Sequence, residues 1–267
     1  MNEFYVKNNT VRCRALDSEN VIHGFSTRNG GVSELPYTKS LNLCRGRGDS
    51  DGTVVENRRL FASYAGFDPA ALVTANQIHS ANVVYADGKT AVYDGADALV
   101  TDKPGVILGV KTADCQPVLF LDGKNGIVAA CHAGWRGTVN GIAANTVDAM
   151  VRLGADRKTT VAVLGPCIGK CCFEVKDDFT KSVREADPEL LRFVSDGHAD
   201  IKAMNEYVLI RAGILKGNIY VCPDCTCCAE DKYYSHRRQK GLRGTMLNVI
   251  GLRGFIAGGS PTPQNSP

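Results

Sequence analysis

Two apolar runs separated by five turn-forming residues do most to limit how this chain can fold. Asp114-Cys115-Gln116 leads into the run 117–121, Asp122-Gly123-Lys124-Asn125-Gly126 follows, and the second run, 127–131, ends at His132. That pattern predicts a β-hairpin. With the turn centred near Lys124, residues whose numbers sum to about 247–249 face each other, as cross-strand neighbours in an antiparallel pair must. Cys115 then stands opposite His132 or within two positions of it. Directly opposed Cβ atoms lie roughly 4.5–5.5 Å apart, close enough for the two side chains to hold one metal ion or share a proton. The plainer alternative is a buried filler thiol and a hydrogen-bonded turn histidine.

The residues after the hairpin weigh toward function. His132-Ala133-Gly134-Trp135-Arg136-Gly137-Thr138 packs two glycines, the chain's one tryptophan and an arginine between a strand and a helix. Glycines there let a backbone approach a ligand closely. A helix N-terminus with Arg136 beside it offers amides and a bidentate donor to an anion. The helix is expected to start after Gly137 with Thr138 as its cap. Val139, Ile142, Ala143, Thr146, Val147 and Met150 mark one face, and Gly154 stops it. Further strands are expected at 21–25, 72–73, 82–86, 98–101, 106–111 and 160–164, and weaker helices at 54–65, 177–186 and 201–212. Strands bunched in the middle with helices after them predict a layered α/β or α+β fold. With no repeat and no linker, residues 1–257 read as one domain and 258–267 as a disordered tail.

Composition excludes other classes. Lys plus Arg number 31 against 28 Asp plus Glu, a formal charge of +3, too little to predict nucleic-acid binding. No apolar run reaches the roughly 18 residues of a membrane span, and no signal-peptide core is visible, so a cytoplasmic protein is expected. Eleven cysteines, an odd number, read as reduced thiols. Only five histidines are present: His23, His79, His132, His198 and His236.

A set of ordered motifs resembles the YfiH-type laccase-domain family. They are Phe25-Ser26-Thr27-Arg28-Asn29-Gly30-Gly31, Ser40-Leu41-Asn42-Leu43, Gln77-Ile78-His79, Ala113-Asp114-Cys115-Gln116-Pro117, His132-Ala133-Gly134-Trp135-Arg136-Gly137, Gly165-Pro166-Cys167-Ile168-Gly169, Phe173-Glu174-Val175 and Tyr234-Ser235-His236-Arg237-Arg238. Members have been labelled multicopper polyphenol oxidase, purine nucleoside phosphorylase or peptidoglycan editing factor. The resemblance implies an α/β sandwich with a mixed central sheet, the fold of the cytotoxic necrotizing factor catalytic domain. It also implies a zinc ion held by His79, Cys115 and His132. Three N/S ligands leave a fourth position open, as a catalytic zinc requires. The implied substrates are purine nucleosides with inorganic phosphate: phosphorolysis of adenosine, inosine, guanosine and methylthioadenosine, and deamination of adenosine. Arg136 is the expected phosphate-binding catalytic residue, and Arg28, Ser40 and Asn42 are candidates to line the substrate pocket.

Copper fits less well. A multicopper oxidase needs a mononuclear centre and a trinuclear cluster built mainly from imidazoles, and five histidines with no His-x-His pair do not supply them. Rival readings are a hydrolase or deamidase with Cys115 as nucleophile and His132 as base, a cell-wall precursor editing factor, and a zinc-buffering protein. The sequence departs from the family at Cys44-Arg45-Gly46-Arg47-Gly48-Asp49, where many relatives carry a Gly and a His. A second departure is the cysteine-rich Cys222-Pro223-Asp224-Cys225-Thr226-Cys227-Cys228. Cys-x-x-Cys is half a zinc knuckle, but no second such arm is visible, so ordinary thiols are expected there.

Overall fold

In the computed structural model, which describes residues 3–254, the central hairpin forms in the register its turn dictates. Asp122 faces Ile127 and Pro117 faces His132, so paired numbers sum to 249. Asp122 is wholly buried and locks the turn. Its carboxylate accepts from Asn125 Nδ2 at 2.7 Å and from the Asp156 amide at 2.7 Å.

The chain runs β1 (Phe4–Lys7), β2 (Thr10–Cys13), β3 (Val21–Ser26), α1 (Asp51–Ala65), β4 (Leu72–Asn76), β5 (Val83–Tyr85), β6 (Val92–Asp94), β7 (Ala98–Thr101) and β8 (Ile107–Thr112). The hairpin strands β9 (Gln116–Asp122) and β10 (Ile127–Ala133) follow, then α2 (Trp135–Val139), α3 (Ile142–Arg152), β11 (Val161–Leu164) and α4 (Asp177–Ala186). Last come β12 (Val194–Ser195), β13 (His198–Ala199), α5 (Ile201–Arg211), β14 (Ile219–Val221) and β15 (Met246–Leu252).

The fold is the expected layered, mixed α/β sandwich, and its strands form two large mixed sheets. One has the order β1-β2-β3-β15-β8-β4-β6, the other β14-β11-β9-β10-β7-β5. Side-chain alternation explains the layering. Leu119, Leu121, Val128 and Ala130 pack with Leu108, Val110 and Ile250 of the other sheet, forming the core between the sheets. On the opposite face, Val118, Phe120, Ala129 and Cys131 pack with Ile142, Val147 and Met150 of α3. Both faces of β9 and β10 are therefore covered, which is why these strands read as continuous apolar runs. The outer face of the seven-stranded sheet is closed by Phe61 and Ala65 of α1 against Ile22, Ile107 and Val249. No helix among the described residues is long and apolar enough to cross a membrane.

One expectation needs correction, and two elements were not anticipated. The helix predicted to start after Gly137 begins at Trp135 and breaks at Gly141, whose φ of 78° no helical residue adopts. Thr138 therefore lies inside α2, its amide bonded to the Gly134 carbonyl, and does not cap α3. The N-terminal hairpin β1–β2 was missed, although Asn8 and Asn9 at its turn both have positive φ, as a two-residue primed turn requires. Strand β15, which sits between β3 and β8, was also missed. The expected tail at 258–267 lies outside the described residues.

Candidate functional site

His132 is the penultimate residue of β10, on the same face as Val128 and Ala130, so it points into the space between the sheets at their open edge. It is 3% exposed, and Asp97, just before β7, is 0% exposed. His132 Nδ1 lies 2.8 Å from Asp97 Oδ1. Burial works against ionising Asp97, but hydrogen bonds from His132 and Ser80 outweigh it and hold the carboxyl well below the usual carboxylate range. An ionised carboxylate accepts a hydrogen bond from His132 Nδ1–H, leaving Nε2 as the atom that can bind a metal. Burial also works against charging His132, yet Cys115 and Asp97 push it up to about 9.

The same carboxylate builds the loop that carries His79. The amides of Ile78, His79 and Ser80 donate to Asp97 at 3.2, 3.0 and 2.7 Å, and Ser80 Oγ donates at 2.7 Å. This nest holds His79 at a φ of 61°, a left-handed conformation that an unsupported histidine seldom adopts. Gln77 anchors the loop on β8. Its amide donates to the Lys111 carbonyl and its oxygen accepts from the Lys111 amide, both at 2.8 Å. The Gln-Ile-His motif is thereby explained: the glutamine fastens, the isoleucine is exposed, and the histidine is presented.

Asp114-Cys115-Gln116 links three segments. Asp114, at a φ of 87°, turns away from His132. It accepts from Thr226 Oγ1 (2.6 Å), Ser235 Oγ (3.0 Å) and the Arg237 amide (2.6 Å). Gln116 donates to the Gly165 carbonyl at 2.7 Å and accepts from Cys167 Sγ at 2.9 Å. Between them, Cys115 projects toward the two histidines. One ligand atom each of His79, Cys115 and His132 lies within 4.8 Å of the others. Bonds of about 2.0–2.3 Å to a tetrahedral zinc place ligand atoms roughly 3.3–3.8 Å apart, so the donor set fits that ion. Carrying the hairpin register one step on puts Gly134 opposite Cys115. A Cβ on Gly134 would lie 2.5 Å from His79 Nδ1 and 3.3 Å from Cys115 Sγ. The glycine of His-Ala-Gly-Trp is where the other two side chains need its absent one.

The triad opens onto a cleft of about 690 Å³. Arg47, Lys111, Arg136, Arg237 and Arg243 line it, and none of the five forms an ion pair among the described residues. Asp114 is the one carboxylate in the lining, and its oxygens are already engaged. Burial holds Lys111 below the ordinary lysine value, Cys44 opposes, and Arg58 and Arg47 add to the lowering. Trp135, Ile168 and Phe173 give an apolar side to the same cleft. Its electrostatics suit an anion attached to, or arriving beside, a flat apolar group.

Of the other sequence candidates, Arg136 reaches the cleft, its guanidinium 4.1 Å from the centroid of the Trp135 ring. The helix behind it, α2, is only five residues long, too short to add the expected dipole contribution. Arg28, Ser40 and Asn42 do not line the cleft. Arg28 donates to the carbonyls of Lys39 and Glu230 and lies over Tyr234, while Ser40 Oγ bridges the Arg28 carbonyl and the Gly31 amide. Buried Asn42 accepts from the Cys44 and Thr245 amides. It therefore positions two cleft residues from behind. Asp97 and the wall Lys111, Arg237, Arg243 were missed by sequence reasoning. Asp97 stands alone before its strand, and the cations are scattered over 197 positions from Arg47 to Arg243.

A family model described as multi-copper polyphenol oxidoreductase laccase matches residues 22–253. The chain is 36% identical over 264 residues to purine nucleoside phosphorylase YlmD of Geobacillus stearothermophilus, covering 91% of this chain and 94% of that one. The crystal structure of YlmD from that species superposes with a TM-score of 0.88 at 33% identity, over 95% of this chain and 100% of the other. A purine nucleoside phosphorylase of Deinococcus radiodurans is 40% identical over 234 residues (87% and 89% covered). Adenosine deaminase RL5, from an unknown prokaryotic organism, is 36% identical over 232 residues (81% and 88%).

Proposed function

This chain belongs to the multi-copper polyphenol oxidoreductase laccase family, and on that premise we propose that it is a zinc-dependent purine nucleoside phosphorylase. Its substrates are adenosine, inosine, guanosine and methylthioadenosine with inorganic phosphate, and adenosine deamination is a second activity; residues 1–257 act as one cytoplasmic catalytic domain. The names of the relatives support the reaction class. The observation that carries the reading is the meeting, in one cleft, of a three-donor metal cradle and five cations without carboxylate partners.

His79, Cys115 and His132 are the residues to hold the zinc, which when bound with a fourth position open supplies a Lewis acid and a lowered pKa for bound water. Asp97 keeps the proton on His132 Nδ1 and fixes both histidines in place. Arg136 binds phosphate through its forked guanidinium, held at the cleft rim by the Trp135 face. Trp135, Ile168 and Phe173 offer the apolar side against which a purine packs. The multicopper description does not carry over to the chemistry. His23 is buried in β3, its Nε2 accepting from the Cys13 amide. His198 lies on β13 and His236 lines the cleft outside the donor group, so among the described residues His79 and His132 are the two histidines that come together with Cys115.

Chromatography of adenosine incubated with the protein decides the reaction. Adenine formed only when phosphate is present is the expected result. Inosine formed without phosphate reports the second activity; inosine with no phosphate-dependent release of a purine base assigns deamination alone, and an unchanged nucleoside overturns the reading. Arg136→Ala is expected to keep the metal and raise KM for phosphate about 10–100-fold, the loss of one charge-assisted contact of roughly 1.5–3 kcal/mol. An unchanged phosphate KM removes Arg136 from the anion site.

A further inference from the structure

A second cluster of donors lies outside the triad. The sulfurs of Cys171, Cys172, Cys225 and Cys228 all fall within 4.8 Å of one another. Cys172 and Cys228 are 3.4 Å apart and Cys171 and Cys228 3.6 Å. The sequence shows only one Cys-x-x-Cys arm, and tertiary structure supplies the other half. Strands β11 and β14 are parallel neighbours, and their chains stay side by side beyond the sheet through a bridge between Cys167 and Cys225. The loops that follow therefore deliver Cys171-Cys172 from one side and Cys225 and Cys228 from the other.

The surroundings are built for a thiolate-bound ion. The Gly169 amide points at Cys225 Sγ, 3.2 Å away, the kind of N–H to sulfur bond that steadies a coordinating thiolate. A Cβ on Gly169 would sit 3.2 Å from both Cys171 Sγ and Cys225 Cβ, so a side chain there would crowd the sulfurs. Two guanidinium groups brace the loops that carry the four sulfurs. Arg237 donates to the Cys172 and Glu174 carbonyls, and Arg238 to those of Thr226 and Cys227. Zinc–sulfur bonds of about 2.3 Å in a tetrahedron set sulfurs roughly 3.8 Å apart, within the spread observed here. A four-iron cluster would have to fit its own cube between the sulfurs, and this gap is too small.

We propose that Cys171, Cys172, Cys225 and Cys228 form a closed structural zinc site, separate from the triad and with no position left for substrate. Its role is to fasten two walls of the cleft. The first loop carries Ile168 and Phe173 into the lining, and the second leads into the segment that presents His236 and Arg237.

Zinc counted by mass spectrometry in protein purified under reducing conditions tests the site independently of turnover. The double variant His79→Ala/His132→Ala is expected to keep one zinc per chain, and Cys228→Ser added to it is expected to remove that zinc. Zinc-edge absorption of the double variant is expected to show four sulfur neighbours at about 2.3 Å, a readout that stands even if the cysteine variant fails to fold. Cobalt loaded into the same double variant is expected to give the intense visible absorption of a tetrathiolate. A double variant without zinc, whose four thiols titrate as free or appear as a Cys172–Cys228 disulfide, overturns the proposal. Wild-type protein with one zinc in an all-sulfur shell supports this site and removes the metal from the triad, so the two readings fail separately.

Discussion

Cys115→Ala is expected to abolish nucleoside turnover and to release the cleft metal together, with the fold intact. Cys115 is half-buried at the end of a hairpin whose core residues it does not join, so removing its sulfur opens no large cavity. What it loses is one of three donors, and two imidazoles alone hold zinc poorly. A Lewis acid is worth several kcal/mol in the transition state, so activity is expected to fall by roughly 10³-fold or more. Metal content, the circular dichroism spectrum and turnover measured on one preparation check this. Chelation of the wild-type protein separates the metal from a nucleophilic thiol. Loss of turnover on chelation and its return with zinc is the expected result. Full turnover after complete metal removal, with sensitivity to alkylation, would instead assign Cys115 as nucleophile and His132 as base.

Asp97→Ala is expected to damage both stability and metal affinity. It leaves the Ile78, His79 and Ser80 amides, Ser80 Oγ and His132 Nδ1 without their acceptor. Unsatisfied buried donors cost about 1–3 kcal/mol each. Partial access of water to the half-exposed loop reduces the sum to about 3–5 kcal/mol. In a chain of this size that lowers Tm by roughly 6–20 °C. Loss of a carboxylate behind a ligating histidine typically costs about 10–100-fold in metal affinity. Asp97→Asn separates the two effects. Its amide oxygen, in the place of Oδ2, still accepts from Ile78 and Ser80, but the NH₂ that replaces Oδ1 gives up the His79 amide bond and, facing His132 Nδ1, forces the other tautomer, which turns an N–H toward the metal. Affinity is therefore expected to fall more than Tm. Equal preservation of affinity in Asp97→Asn would show that Asp97 serves only the loop. Competition titration with a chelating dye and thermal denaturation give the two numbers.

Much of the hairpin could be read before any coordinates. Its turn residues and apolar runs are local, and a period-two strand leaves little freedom once the turn is centred, so the register that brings Cys115 near His132 was accessible from spacing alone. The resemblance to a known family added His79. The break at Gly141 and the Asn8-Asn9 turn were also locally encoded; both depend on single residues that tolerate positive φ, and the stronger hydrophobic periodicity nearby obscured them.

Other features belong to the tertiary structure because their parts are far apart in the chain. Whether the strands make one sheet or two depends on which edges pair, and β15 enters between β3 and β8 from the far end of the sequence. Asp97 is an unremarkable acidic residue until His79 and His132 converge on it. Lys111, Arg237 and Arg243 become one basic wall only when three distant segments meet. The four clustered thiols divide between loops 53 residues apart, Cys172 to Cys225, and only the parallel pairing of β11 with β14 makes them neighbours. Local spacing therefore determined the hairpin and two of its donors, because turns and strand periodicity act over a few residues. The orienting carboxylate, the basic wall and the four-cysteine cluster were decided by packing, which acts across the whole chain.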